Sequence, residues 1–144
     1  MNAKRVLLAA AGYIIATFVI AAPWHLVLFK GVYDELGIFT RQEPIIALGI
    51  LYMVIQAAIY VVLFPRYYRG NRPARAGLEF GVLMGIFLAS GTVIAEGAKQ
   101  QVTSLPTWLL LEGGYYLLQF AVTGLIFGWL YGDPLSKAPR SVEV

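Results

Sequence analysis

Apolar residues run in four long blocks, 6–29, 44–65, 77–97 and 107–131, each broken only by isolated polar positions. A helix rises about 1.5 Å per residue, so about 20 residues cross a hydrocarbon layer of about 30 Å. All four blocks reach that length. None alternates apolar and polar residues with a period of two, and backbone groups in lipid have to bond within their own segment. The pattern therefore predicts four membrane-spanning helices. The connections 30–43, 66–76 and 98–106 are short, and a polar tail, 132–144, follows the last block. The expected fold is a single all-α domain, an antiparallel bundle of four transmembrane helices.

Composition removes the soluble alternatives. Of the 144 residues, 59% are hydrophobic and 13% charged, against about 25% charged in ordinary soluble domains. The mean hydropathy is +0.70. Cysteine is absent, which excludes disulfides, thiolate metal sites and thiol catalysis. The net charge of +3 does not point to nucleic acid, because the basic residues lie scattered between apolar blocks rather than on one soluble face.

Those basic residues predict sidedness instead. Lys4, Arg5, Arg66, Arg69, Arg72, Arg75, Lys137 and Arg140 fall on one side of the four blocks, and Lys30, Arg41 and Lys99 on the other. The positive-inside bias then puts both termini in the cytoplasm, with Trp24 and Trp108 at the outer surface and Tyr67, Tyr68, Trp129 and Tyr131 at the inner one. Lys4 and Arg5 before an apolar run also suit a secretory signal. The run is long for that purpose and no small-x-small site precedes Pro23, so the first helix is expected to be retained.

Helix association in lipid depends on close backbone approach and interhelical hydrogen bonds. Gly77, Gly81, Gly85 and Ala89 recur every fourth residue in the third block, and Gly124, Gly128 and Gly132 do so in the fourth. Two uses of these grooves are open: contact between the third and fourth helices, or contact with a second copy or another membrane protein.

Ionisable groups in a spanning segment are costly and mark candidate sites. Glu79 follows Arg75 by one helical turn and suits a surface ion pair. His25, Glu96 and Glu112 share the outer leaflet. In the fourth block Glu112, Tyr115, Gln119 and Thr123 fall on one helical face, a polar stripe about 16 Å long. Gln56 in the second block lies at a depth similar to Gln119, near the bilayer centre. One reading makes these residues interhelical glue; the other makes them the lining of an outward-facing polar cavity, with carboxylates at its mouth and glutamines at its inner constriction. Pro23 cannot donate to Val19, so a kink is expected just before His25. No metal-ligand spacing accompanies His25, and no nucleotide, nucleophile-elbow or zinc motif occurs, so no cofactor and no catalytic residue is expected.

Trp24 followed by Phe29 and Tyr33, the spacing of Gly77, Gly81 and Gly85, and the closing Gly124-Leu-Ile-Phe-Gly128-Trp129 resemble small four-helix bacterial inner-membrane proteins of unknown function, over the whole chain. The resemblance implies an inner-membrane location and transfers no activity and no site residues. Two functions are therefore expected. In the first, Glu112, Glu96, His25, Gln119, Gln56 and Tyr115 bind or pass a small ligand, cation or proton. In the second, the chain is a non-catalytic accessory or oligomer-forming protein that uses its glycine grooves as interfaces.

Overall fold

The computed structural model describes residues 3–39, 41 and 43–132. The tail beyond Gly132, with Lys137 and Arg140, lies outside the described residues. Regular structure among the described residues is entirely helical: α1 (Ala3–Pro23) continuing as a π-helical turn (Trp24–Leu28), α2 (Lys30–Leu36), α3 (Ile46–Tyr67), α4 (Pro73–Ala89) continuing as a π-helical segment (Ser90–Ala95), and α5 (Leu105–Gly132). The stretches Ala3–Leu28, Ile46–Tyr67, Pro73–Ala95 and Leu105–Gly132 are long and apolar enough to cross a membrane.

Three local features differ from the hydropathy pattern, each for a physical reason. The fourfold glycine series of α4 starts one turn inside the helix, because Pro73 occupies the first turn, where its missing amide costs nothing. The expected kink at Pro23 takes the form of a register change: the Phe29 amide bonds the Trp24 carbonyl at 3.1 Å, a π-type bond. The connection after the first block holds a short helix, α2, on which Tyr33 and Leu36 follow the N-cap residue Phe29 at helical spacing. Gly37, at φ 72°, ends it by returning its amide to the Tyr33 carbonyl at 3.3 Å.

α5 is the least apolar of the four stretches, with a mean hydropathy of 1.4, and the one most covered by its neighbours. It packs along α4 and against α1, and α1 packs in turn against α3. One end of the bundle gathers the start of α1, the end of α3, the start of α4 and the end of α5. There Arg5 lies over the Tyr131 ring, and Gly132 meets Pro73 and the Tyr68 hydroxyl. The opposite end gathers Trp24, Tyr33, Leu36, Val93 and Trp108. Between them lies an aromatic core in which Tyr60 packs against Tyr13, Phe80, Phe120 and Phe127 at centroid separations of 4.9, 5.1, 5.8 and 5.2 Å. Ring pairs in this range contribute about 0.5–1.5 kcal/mol each beyond area burial.

The α4–α5 contact is set by backbone meeting backbone. A Cβ on Gly77 would stand 2.3 Å from the Gly124 carbonyl oxygen, one on Gly81 2.1 Å from that of Phe120, and one on Gly128 2.3 Å from that of Pro73. Backbone cannot swing aside as a flexible side chain can. At Gly49 and Gly113, by contrast, an added methyl would have nothing within 4 Å of it. Gly81→Ala and Gly124→Ala should each lower stability by about 1–3 kcal/mol, the usual cost of overpacking. Gly49→Ala and Gly113→Ala should leave it within about 0.5 kcal/mol of wild type. Thermal unfolding of the four variants in one detergent checks the contrast.

Candidate functional site

The polar residues of α5 line one face: Glu112 is 6% exposed, Tyr115 5%, Gln119 0% and Thr123 0%. Each turn of that face meets a different partner. At the upper turn, the π-helical segment after Pro23 carries His25 towards Glu112, with His25 Nε2 3.4 Å from Glu112 Oε2. The other ring nitrogen, Nδ1, lies 3.0 Å from the Ala21 carbonyl oxygen. Tyr33 reaches the same carboxylate from α2 and donates its hydroxyl to Oε2. Trp24 Nε1 donates to the Tyr33 oxygen at 3.2 Å. The donors therefore form a chain from indole to phenol to carboxylate, in which each bond polarises the next. The Tyr115 ring meets the imidazole edge to face at 4.5 Å, and the Tyr33 ring lies 4.9 Å from it on another side.

The hydrogens at this site are tightly constrained. A carbonyl oxygen only accepts, so Nδ1 of His25 carries a hydrogen and donates it to Ala21. The contact between Nε2 and Glu112 Oε2 then needs one further proton to be attractive. Such a proton would belong either to the imidazole or to the carboxyl, and the two atoms lie 3.4 Å apart, an ion-pair distance longer than an ordinary hydrogen bond. The Tyr33 hydroxyl keeps its own hydrogen, since burial first and the Glu112 carboxylate second push its pKa far above the ordinary tyrosine value.

About 10 Å further along α5, at 1.5 Å per residue, lies a second polar cluster. Gln119 Nε2 donates to Thr17 Oγ1 at 3.2 Å and to the Tyr13 oxygen at 3.4 Å. Tyr13 donates to Gln56 Oε1. Gln119 Oε1 is buried without a hydrogen-bond partner.

The structure thus joins His25, Glu112 and Tyr115 in one site, and Gln56 and Gln119 in another through Tyr13. Glu96 stands apart from both. Its carboxylate accepts from Lys99 Nζ at 2.5 Å and from Gln100 Nε2 at 3.4 Å, and the Lys99 ammonium, then Gln100, holds its pKa below the ordinary range. Lys99 is therefore engaged by Glu96. Among the described residues no three His, Asp or Glu side chains are grouped to hold a metal ion.

Glu112 and Gln119 are closed over by direct packing. Neither of two surface cavities touches them. One of about 620 Å³ lies at the α3–α4 turn, and one of about 340 Å³ is an apolar groove between α1 and α5. Tyr33 is the participant that hydropathy reading passes over, because it lies in a connection; the helical spacing of Phe29, Tyr33 and Leu36 carries the missed signal. No family model matches this chain, and no similar curated protein or solved structure was found.

Tyr33→Phe takes one donor from a buried carboxylate and should cost roughly 1.5–3 kcal/mol, the value of a hydrogen bond to a charged group. Glu112→Gln should cost a similar amount. Because the two side chains touch, the double variant should lose less than the sum of the single losses. A double-mutant cycle by thermal melting reads the coupling, and strict additivity would mean that the two groups do not interact.

Proposed function

We propose that this chain is a multi-pass membrane protein of the cell's inner membrane, an antiparallel four-helix bundle with both termini cytoplasmic, that binds protons at Glu112 and His25 and moves them along the polar face of α5. The observation that carries this reading is the single proton required between His25 Nε2 and Glu112 Oε2, given that Nδ1 is committed to Ala21. Buried carboxylate and imidazole groups in spanning segments are the recurrent parts of proton relays. Sidedness rests on the arginines of the α3–α4 turn together with Lys4 and Arg5, which favour the cytoplasmic face.

Two protonation states suit the site, with the pair drawing in from 3.4 Å to hydrogen-bonding distance for a proton to pass. In one, imidazolium faces carboxylate, and the Tyr33 donor supports the negative charge. In the other, the Glu112 carboxyl donates to neutral Nε2. Transfer between the two is a shift of one proton across a single contact. Below the pair, hydroxyls of Tyr13 and Thr17 and the amides of Gln56 and Gln119 supply donors and acceptors towards the bundle centre. The reading thus keeps Glu112, His25, Tyr115, Gln119 and Gln56 as functional residues. It assigns Glu96 to an ion pair at the helix end. The site as folded is closed, so the expected open cavity gives way to a relay that exchanges protons when its surroundings loosen.

The accessory reading is favoured by one observation, the apolar groove of Gly12, Ile15, Ala16 and Val19 with Val122 and Ile126, which offers a surface to another helix. The α4 and α5 glycines no longer serve that reading, since each backbone is occupied by the other.

Proteoliposomes holding a pH-sensitive dye distinguish the two. After an external acid pulse, wild-type vesicles should acidify faster than empty ones, and Glu112→Gln should return the rate to that of empty vesicles. Difference infrared spectra across a pH titration should show a carboxyl band that is missing in Glu112→Gln. Equal acidification in wild type and variant, or a spectrum unchanged by the substitution, overturns the proton reading.

A further inference from the structure

The cavity of about 620 Å³ at the α3–α4 turn is lined by Arg66, Tyr67, Arg69, Asn71, Ala76 and Glu79. Its charge is lopsided. Glu79 is already engaged, accepting from Arg75 Nε at 2.7 Å, so that pair is neutral as a unit. Arg66 uses one donor on the Val62 carbonyl and keeps the rest of its guanidinium fork. Arg69 has no carboxylate partner among the described residues. The concavity therefore holds two guanidinium groups uncompensated by acid.

Two further features favour an anion there. α4 begins beside this cavity without a side-chain cap; Pro73 has no amide and that of Ala76 is bonded to the Arg72 carbonyl, so the positive end of this 17-residue helix offers at most the amides of Ala74 and Arg75. The Asn71 side chain adds neutral donors in the same wall.

The surface beneath the cavity is apolar. One helical turn before Arg66 and Tyr67 stand Val62 and Leu63, 44% and 39% exposed, and one turn after Glu79 stands Leu83, 57% exposed. A ligand with an anionic head and a long apolar tail meets chemistry suited to both parts. A free phosphate uses only the upper half.

We propose that this cavity binds the phosphate headgroup of an anionic phospholipid, with Arg66 and Arg69 on the phosphate, Asn71 on the polar part of the headgroup, and the acyl chains along Val62, Leu63 and Leu83. The site rests on the membrane placement of the four helices and is independent of the proton site at the other end of the bundle. Guanidinium forks suit phosphate through paired hydrogen bonds as well as charge. Basic pockets between helices at a membrane face are recurrent headgroup sites.

The test uses the full chain in a neutral detergent, titrated with phosphatidylglycerol or phosphatidylcholine and read by native mass spectrometry. Phosphatidylglycerol should stay bound where phosphatidylcholine is lost. The double variant Arg66→Gln/Arg69→Gln should weaken it by about tenfold or more, since each basic residue near an anionic surface is worth roughly a fivefold factor. Lys99→Gln, at the opposite end, should retain wild-type binding, and thermal melting should show both variants folded. Equal retention of the two lipids, or equal loss in Lys99→Gln and the double variant, overturns the site. Displacement of phosphatidylglycerol by millimolar inorganic phosphate overturns the lipid assignment in favour of a free anion. None of these outcomes touches Glu112, so failure here is separate from failure of the proton reading.

Discussion

The close approach of α4 and α5 governs the rest of this structure. Where Gly77 meets Gly124 and Gly81 meets Phe120, no atom can be added to either backbone. The consequence extends around α5. Gln119 and Thr123 lie one residue before Phe120 and Gly124, hence about 100° around the helix. Once the glycine face is committed to α4, the polar face has one neighbouring direction left, and α1 stands in it. Thr17 and Tyr13 meet Gln119 there, and His25 meets Glu112 two turns further on. In the proposed membrane setting, burying apolar surface contributes little to helix association, so steric fit and polar pairing would have to hold the bundle. The two operate on adjacent faces of one helix.

The same constraint explains the composition of the site. A carboxylate inside a helical bundle is costly unless charge and hydrogen bonds compensate it. Glu112 accepts an O–H from Tyr33 and faces His25 Nε2, and Tyr33 is in turn supported by Trp24. The pieces come from α1, its π-helical extension, α2 and α5. α2 is short, but Thr103 fastens it, donating its hydroxyl to the Glu35 carbonyl at 2.8 Å and its amide to the Leu36 carbonyl at 3.3 Å. A loop residue thereby becomes a fixed donor. Glu96, at the end of its helix, needs none of this: Lys99 lies three residues further on in the turn that follows, and both side chains stay partly exposed.

Much of the architecture was legible because lipid imposes a simple rule on sequence. Four apolar runs of spanning length lead to four long helices, and the α5 polar stripe follows from its periodicity alone. The glycine spacing left two partners open, and only the three-dimensional pairing shows each series against the other. The candidate site was legible in part. His25, Glu96 and Glu112 could be assigned to one leaflet, yet no spacing rule says whether Glu96 turns inward or pairs with Lys99, because both lie at a helix end where a side chain can reach either way. Tyr33 was hidden for a different reason. Hydropathy windows long enough to find a span average over a seven-residue helix. The π-helical turn after Pro23 was equally invisible, since a proline specifies which bond is lost and leaves open how the next turn compensates.

That π-helical turn bears on how a closed site could work. A π bulge is one residue more than the α ladder accommodates, and moving it along a helix shifts the residues it passes by about 1.5 Å and about 100°. His25 lies within one such segment, and a second, Ser90–Ala95, borders the same end of the bundle. The second is pinned from α5, where the Trp108 indole donates to the Val93 carbonyl at 3.0 Å. The first has no comparable clamp on its carbonyls among the described bonds. It is held by side chains instead: His25 through Ala21 on its own helix and Glu112 on α5, and Trp24 through the Tyr33 hydroxyl and the Tyr115 ring. On the proposed reading, the proton held between His25 and Glu112 is then more than cargo. Its departure would leave an imidazole lone pair facing a carboxylate, a repulsive arrangement beside the π-helical turn. On that reading, proton binding and the packing of this turn against α5 depend on the same atom pair.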